Sequence, residues 1–134
     1  MKITRETDHA VKCVIYLSET PDQYRPVGDI AEKCGIPRSF LAKILQKLTK
    51  AGIVESLKGN QGGFKICKTP KEISLYDVFK VIQGPMAVNA CVVDQNVCDR
   101  ARFCTVHPIW VEIQNDIVTK LEATDFQLLT GKNQ

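Results

Sequence analysis

The sequence predicts a mainly α fold with a small β-hairpin: a winged helix-turn-helix followed by a long C-terminal dimerisation helix. Three observations predict it. The stretch VGDIAEKCGIPRSFLAKILQKLTKAGIV reads as two helices joined by a tight turn at Gly35, a helix-turn-helix. Residues 53–57 and 63–67 then form two short β-rich runs around KGNQG, whose Gly and Asn suit a hairpin loop. Finally, Ile109, Trp110, Ile113, Ile117 and Leu121 recur at helical spacing near the C-terminus.

The first helix runs from Thr4 to Glu19, with Ala10, Val11, Val14, Ile15 and Leu17 on its apolar side and Pro21 stopping it. Thr4 is the expected N-cap, and Glu6 and Asp8 stand in the first turns, where the helix dipole favours acids. Cys13 lies beside that stripe and reads as core, while TPDQYRP is rich in breakers and reads as a loop. In the helix-turn-helix, a short helix over 29–34 ends at Gly35, a residue able to take positive φ. The second helix buries Leu41, Ile44, Leu45 and Leu48 and turns Arg38, Ser39, Lys43, Gln46, Lys47 and Lys50 the other way. Such a basic face is either an ordinary solvated surface or one that meets a polyanion.

Lys58 and Lys65 sit on the Gly-rich wing, where backbone can approach a phosphate strand or a narrow groove. These glycines do not spell a GxxxxGK[ST] phosphate loop. Ser74 caps a further helix over 75–83, carrying Leu75, Val78, Phe79 and Ile82 and ended by Gly84-Pro85. From Met86 to about Asp99 no regular pattern appears, and a loop of that size inside a small domain is expected to be functional. The last long helix begins near Pro108. Its single apolar stripe packs on its own domain or on a second copy. A second copy is favoured, because helix-turn-helix proteins commonly read two half-sites as dimers. A short helix capped by Ala123-Thr124-Asp125 closes the chain through Leu129, and GKNQ is expected to fray. The organisation read from this is a DNA-binding unit over 1–83, a cysteine loop over 84–107 and a dimerisation helix with a closing helix over 108–134.

A chain of 134 residues makes one domain with a real core, and 44% hydrophobic with 25% charged residues is a soluble globular composition. MKITRETDHA carries charge where a signal peptide needs an apolar core, and no apolar run reaches membrane length. A cytoplasmic location is therefore expected, in which cysteines serve as ligands, reactive thiols or core. The net charge of +3 hides an asymmetry: residues 1–70 carry 12 Lys and Arg against 7 acids, residues 71–134 carry 6 against 8. A basic first half favours a polyanion partner. No Ser-His-Asp, catalytic Cys-His or phosphate-loop pattern is present, so an enzyme is not expected.

Cys91, Cys98, Cys104 and His107 fall within 17 residues at spacings x6, x5 and x2, and take up half of the chain's six cysteines. Thiolate and imidazole hold iron–sulfur clusters or zinc. Gaps of five or six suit a loop around a bulky cluster, whereas structural zinc sites use closer pairs. Asp94, Gln95, Asn96, Asp99 and Arg100 between the thiols are unlike core, so a metal centre is preferred to buried or disulfide-bonded cysteines. Cys13, Cys34 and Cys67 stand in no motif that would give them a role beyond that of core thiols.

Together, the opening MKIT and its helix, DIAEKCGIPRSFLAKILQKLTKAGIVES, the wing KGNQGGF and the three-cysteine loop before a long helix resemble the IscR/NsrR-type winged-helix regulators, bacterial transcription factors that carry an iron–sulfur cluster. The resemblance implies a homodimer whose long helices cross, presenting two winged helices to palindromic double-stranded DNA. It puts the cluster on Cys91, Cys98 and Cys104, the first gap being one residue longer than is usual in IscR-like members. The fourth ligand is His107 by the IscR-like pattern, with a 2Fe–2S cluster. By the NsrR-like pattern it is Asp8 from the other subunit, with 4Fe–4S; His9 is a third possibility. The resemblance sets Arg38, Ser39, Phe40 and Lys43 at the major groove. Arg38 would read guanine or clamp a phosphate, and Phe40 is either core or a contact to a thymine methyl. Lys58 matches a minor-groove or backbone contact, and Lys47, Lys50 and Lys65 position rather than specify. The implied function is transcription regulation that senses redox state, nitric oxide or cluster status. Alternatives are a zinc-bound or metal-free thiol-sensing regulator, and a small electron-transfer or cluster-carrier protein that would leave the helix-turn-helix unemployed.

Overall fold

Helix α1 (Arg5–Glu19) begins where the Thr4 hydroxyl accepts from the Thr7 amide at 3.1 Å, the cap expected from the sequence. The structure is a computed structural model and describes residues 2–94, 96 and 103–131. α1 is the central strut, with α2 (Val27–Cys34), α3 (Arg38–Lys50), α4 (Leu75–Gln83) and α7 (Phe126–Gly131) all packed on it. Its Ala10, Cys13, Val14 and Leu17 meet Ile30, Leu41, Ile44, Leu45 and Leu48 in one core. Each Leu or Ile fully buried there contributes about 1.5–3 kcal/mol.

α2 starts two residues before the expected Asp29, because Pro26 already stands at the N-cap with extended backbone and lets Val27 enter the first turn. It ends at Gly35, whose φ of 67° is the left-handed turn that sets the angle between α2 and α3. β1 (Val54–Leu57) and β2 (Gly63–Ile66) pair antiparallel, Val54 opposite Ile66 and Leu57 opposite Gly63. Both strands are one residue shorter than expected, at the start of the first and the end of the second.

The wing also has a third member. The Arg25 amide donates to the Phe64 carbonyl at 2.8 Å and the Phe64 amide returns the bond to Arg25 at 2.9 Å. A segment read as a plain loop therefore extends the hairpin by one bridge. Gly63 makes room for it: its φ is 151°, and a Cβ there would collide with the Arg25 carbonyl.

Ser74 and Asp77 form a reciprocal capping box at the start of α4, with bonds of 3.0 and 2.9 Å. Beyond Gly84 the expected irregular run is broken by a single helical turn, α5 (Ala90–Val93), capped by Asn89. Four residues are too few for a sequence period to reveal. The Val88 amide donates to Gln114 Oε1 at 3.1 Å, tying this segment to α6 (His107–Ala123), which packs on α4 and α5. The apolar side of α6 is only partly covered: Ile109 is 48% exposed and Ile113 40%.

α7 closes the domain rather than trailing from it. The Leu75 amide donates to Thr124 at 2.7 Å, the Phe126 amide to Ile73 at 3.1 Å, and the Phe126 ring is fully buried. α7 runs to Gly131, two residues past the expected Leu129, so Gly131 of the tail expected to fray is helical, and residues 132–134 lie outside the described residues. Among the described residues no helix is long and apolar enough to cross a membrane.

Candidate metal centre and nucleic-acid interface

α5 and the first turn of α6 bring Cys91 and His107 together: Cys91 Sγ stands 3.4 Å from His107 Nδ1, and both side chains are half-buried. This is a thiol–imidazole hydrogen bond. It is also close to the roughly 3.6 Å that separates a sulfur and a nitrogen ligand on one tetrahedral metal ion. Cys104 is half-buried three residues before His107, and neighbouring Phe103 is 86% exposed. Cys98 lies outside the described residues. Among the described residues no three His, Cys, Asp or Glu side chains converge as a metal cage. The pair that does meet is chemically right for iron or zinc, a soft thiol beside a borderline imidazole.

Asp8 is exposed on α1 and bonded to Lys12 at 2.8 Å. His9, the third possible ligand, is half-buried, and its Nδ1 is shut from solvent with no hydrogen-bond partner among the described residues. Near them is a residue that sequence reasoning passed over. Gln83 Oε1 accepts from Thr7 Oγ1 at 2.6 Å and from the Thr4 amide at 3.1 Å, while Nε2 donates to the Lys2 carbonyl at 2.9 Å. The last residue of α4 thus holds the start of α1 at the point where the chain departs toward the cysteines. A polar residue at a helix end carries no signal by spacing alone.

α3 and the wing carry the exposed basic residues expected from the sequence. Arg38, Ser39, Phe40, Lys43 and Lys50 are exposed, as is Lys58 on the wing loop. Phe40, at 57% exposure, is not core. Two of the expected cations are engaged within the fold. Lys47 Nζ is 2.6 Å from Glu6 Oε1, linking α3 to α1. Lys65 Nζ stands 3.5 Å from Glu55 and 4.8 Å over the Tyr24 ring, and Tyr24 Oη donates to Glu55 at 3.0 Å. Arg38, Lys43, Lys50 and Lys58 have no ion pair among the described residues.

The profile of the Rrf2 family, described as an iron-dependent transcriptional regulator, matches residues 3–132. The chain belongs to the Rrf2 family. Protein aau3 of Rhizobium meliloti is 36% identical over 91 residues, spanning 68% of this chain and 59% of that protein. The chain thus covers less than two thirds of that relative. The HTH-type transcriptional regulator IscR of Aliivibrio salmonicida is 27% identical over 135 residues, covering all of this chain and 80% of that one. In fold, this Rrf2 chain is similar to CymR, the global cysteine regulator of B. subtilis, at a TM-score of 0.83 and 21% identity, with 98% of each chain covered. The winged-helix fold is that of Rrf2 regulators, which bind DNA, are generally dimeric and are not enzymes.

In this Rrf2 chain the remaining thiols differ sharply. Burial pushes the Cys13 thiol far above its ordinary range, helped by nearby Cys34. Cys34 is also raised, first by burial and then by Glu19, and its Sγ–H points to the Lys12 carbonyl at 3.8 Å. Cys67 is exposed, with its thiol raised by partial desolvation and by Glu55. Only Cys13 is the core thiol expected for all three.

Proposed function

We propose that this Rrf2-family chain is a homodimeric transcription regulator that senses redox state, nitric oxide or iron–sulfur status through a cluster held by Cys91, Cys98, Cys104 and His107, with Asp8 of a second copy as the competing fourth ligand. The observation that carries the reading is the 3.4 Å approach of Cys91 Sγ to His107 Nδ1, two donors of the right softness fixed by α5 and the start of α6. When bound, a 2Fe–2S group with one imidazole ligand supplies one-electron chemistry at a potential raised over an all-thiolate set. The segment over 84–107 spans from the winged helix (1–83) to the dimer helix (108–134), and the Val88–Gln114 bond ties its first part to that helix. Ordering of this segment would set the spacing of two recognition helices on a palindromic operator.

Arg38, Ser39, Phe40 and Lys43 are the residues proposed to enter the major groove, with Lys58 on the adjacent backbone or minor groove. Lys47 supports α3 through Glu6. The proposed compartment is the cytoplasm, where thiols stay reduced.

A second reading is favoured by the same pair. Cys91 and His107 are already in hydrogen-bond contact, so a metal-free thiol sensor or a zinc site would use the same residues. Anaerobic visible absorption with iron and sulfide analysis on wild type, His107→Ala and Asp8→Ala separates them. Iron and sulfide in equal amounts, with a spectrum altered by His107→Ala alone, support the proposed ligand set. A spectrum altered only by Asp8→Ala moves the fourth ligand to the other subunit. Protein that is iron-free after anaerobic isolation rejects the cluster.

A further inference from the structure

Gly28 lies in the first turn of α2 with its φ in the ordinary helical range, so its lack of a side chain is not required by the backbone. The reason is across the turn. A Cβ built on Gly28 would stand 2.5 Å from Arg38 Nη2 and 3.6 Å from Arg38 Cζ. The guanidinium of Arg38, the first residue of α3, lies over the bare backbone of α2, in the volume that any side chain at 28 would fill.

We infer that Gly28 is a positioning residue for DNA recognition: by leaving its Cβ position empty it seats the Arg38 fork between the two helices of the motif, in the pose from which Arg38 meets the major groove. This rests on the proposed DNA role of Arg38. The seat is one of shape rather than charge, since Arg38 has no ion pair among the described residues. Its guanidinium keeps N–H donors for a nucleobase edge. An arginine loses much rotamer freedom when it is fixed, and a fork already held in place loses less on binding. An Ala at 28 is cheap for the fold, because the atom it strikes is the far end of a flexible side chain and because Ala is the better helix former. It is costly for the pose of Arg38.

The test uses the full-length protein and a duplex selected from a randomised pool by wild type, at one fixed salt concentration. Gly28→Ala, Arg38→Ala and the double variant are compared by fluorescence anisotropy, with melting temperature as the fold control. The expected result is an unchanged or raised melting temperature for Gly28→Ala and about tenfold weaker binding. Its preference relaxes at the same base pair of each half-site as in Arg38→Ala, and the double variant is no weaker than Arg38→Ala. Full affinity in Gly28→Ala beside a weakened Arg38→Ala overturns the inference and leaves the role of Arg38 standing. An Arg38→Ala variant with wild-type affinity and preference overturns both. A further loss on adding Gly28→Ala to Arg38→Ala shows that Gly28 acts by another route and overturns the inference as well.

Discussion

Replacing Gln83 by Ala removes three hydrogen bonds of 3.1 Å or shorter, and a weak one of 3.4 Å from the Thr4 hydroxyl, that lock the first residues of the chain to the end of α4. The 2.6 Å bond from Thr7 matters most, because Thr7 is only 1% exposed and its hydroxyl loses a partner where water does not reach. Thr4 Oγ1 at 3.0 Å remains as a second partner and tempers the loss. The bonds to the Thr4 amide and the Lys2 carbonyl are exposed and exchange readily with water. At about 1 kcal/mol for a typical net hydrogen bond and less for the outer two, Gln83→Ala should destabilise by about 2 kcal/mol. The midpoint of urea unfolding falls while the slope is kept, measured at fixed protein concentration because the proposed dimer would contribute to stability. Gln83→Glu keeps the acceptor for Thr7 and Thr4 but sets a carboxylate against the Lys2 carbonyl, so it should lie between wild type and Gln83→Ala. Exchange of the Thr4 amide proton should rise in step with the loss of stability. A Gln83→Ala protein within about 0.5 kcal/mol of wild type, with the Thr4 amide still protected, would refute the assignment of this network as what holds the N-terminus.

Three further outcomes are expected. Phe126→Ala should cost about 3–5 kcal/mol in unfolding experiments, as for other buried aromatic truncations, since the ring is fully buried where α7 closes on the core. Lys58→Ala should lower the slope of log affinity against log salt by about one per protomer with little change in base preference, which filter binding over a salt series reads directly. Cys13 gives a pH dependence. Its folded pKa is raised from the ordinary 9.0, so the unfolded chain releases the proton first; the stability is fully present below pH 9.0 and lost as pH rises above it. The difference between wild type and Cys13→Ala should therefore shrink by up to about 1.4 kcal/mol per pH unit above that point, in denaturation curves taken across alkaline pH.

Most of the fold was legible because its helices announce themselves locally. Thr4 and Ser74 are side-chain caps next to apolar periods, and Gly35 is a turn residue between two such periods. What was not legible depends on contacts distant in sequence or on elements too short to repeat. Arg25 joins β2 from a breaker-rich loop, α5 is a single turn, and Phe126 becomes core only because Ile73 and Leu75 receive it. At the candidate site, sequence spacing picked out Cys91 and His107, and the structure brings them into contact. Charge pattern alone treated every lysine of the basic face alike. It had no means of separating Lys47 and Lys65, spent on Glu6 and Glu55, from Arg38, Lys43, Lys50 and Lys58.

The two-way bond between Arg25 and Phe64 fixes what can be exchanged between relatives. A graft that carries only the hairpin, residues 54–66, would leave behind the strand partner on which the base of the wing leans, and would set a foreign residue at 63 against the host's carbonyl. The smallest transferable part is the continuous run from the Arg25 segment through β2, which also contains both helices of the motif. The two motif helices and the wing are therefore inherited together, and under the proposed mechanism a change at the cysteines would alter how far apart two such units are carried but not the angle between the parts of one.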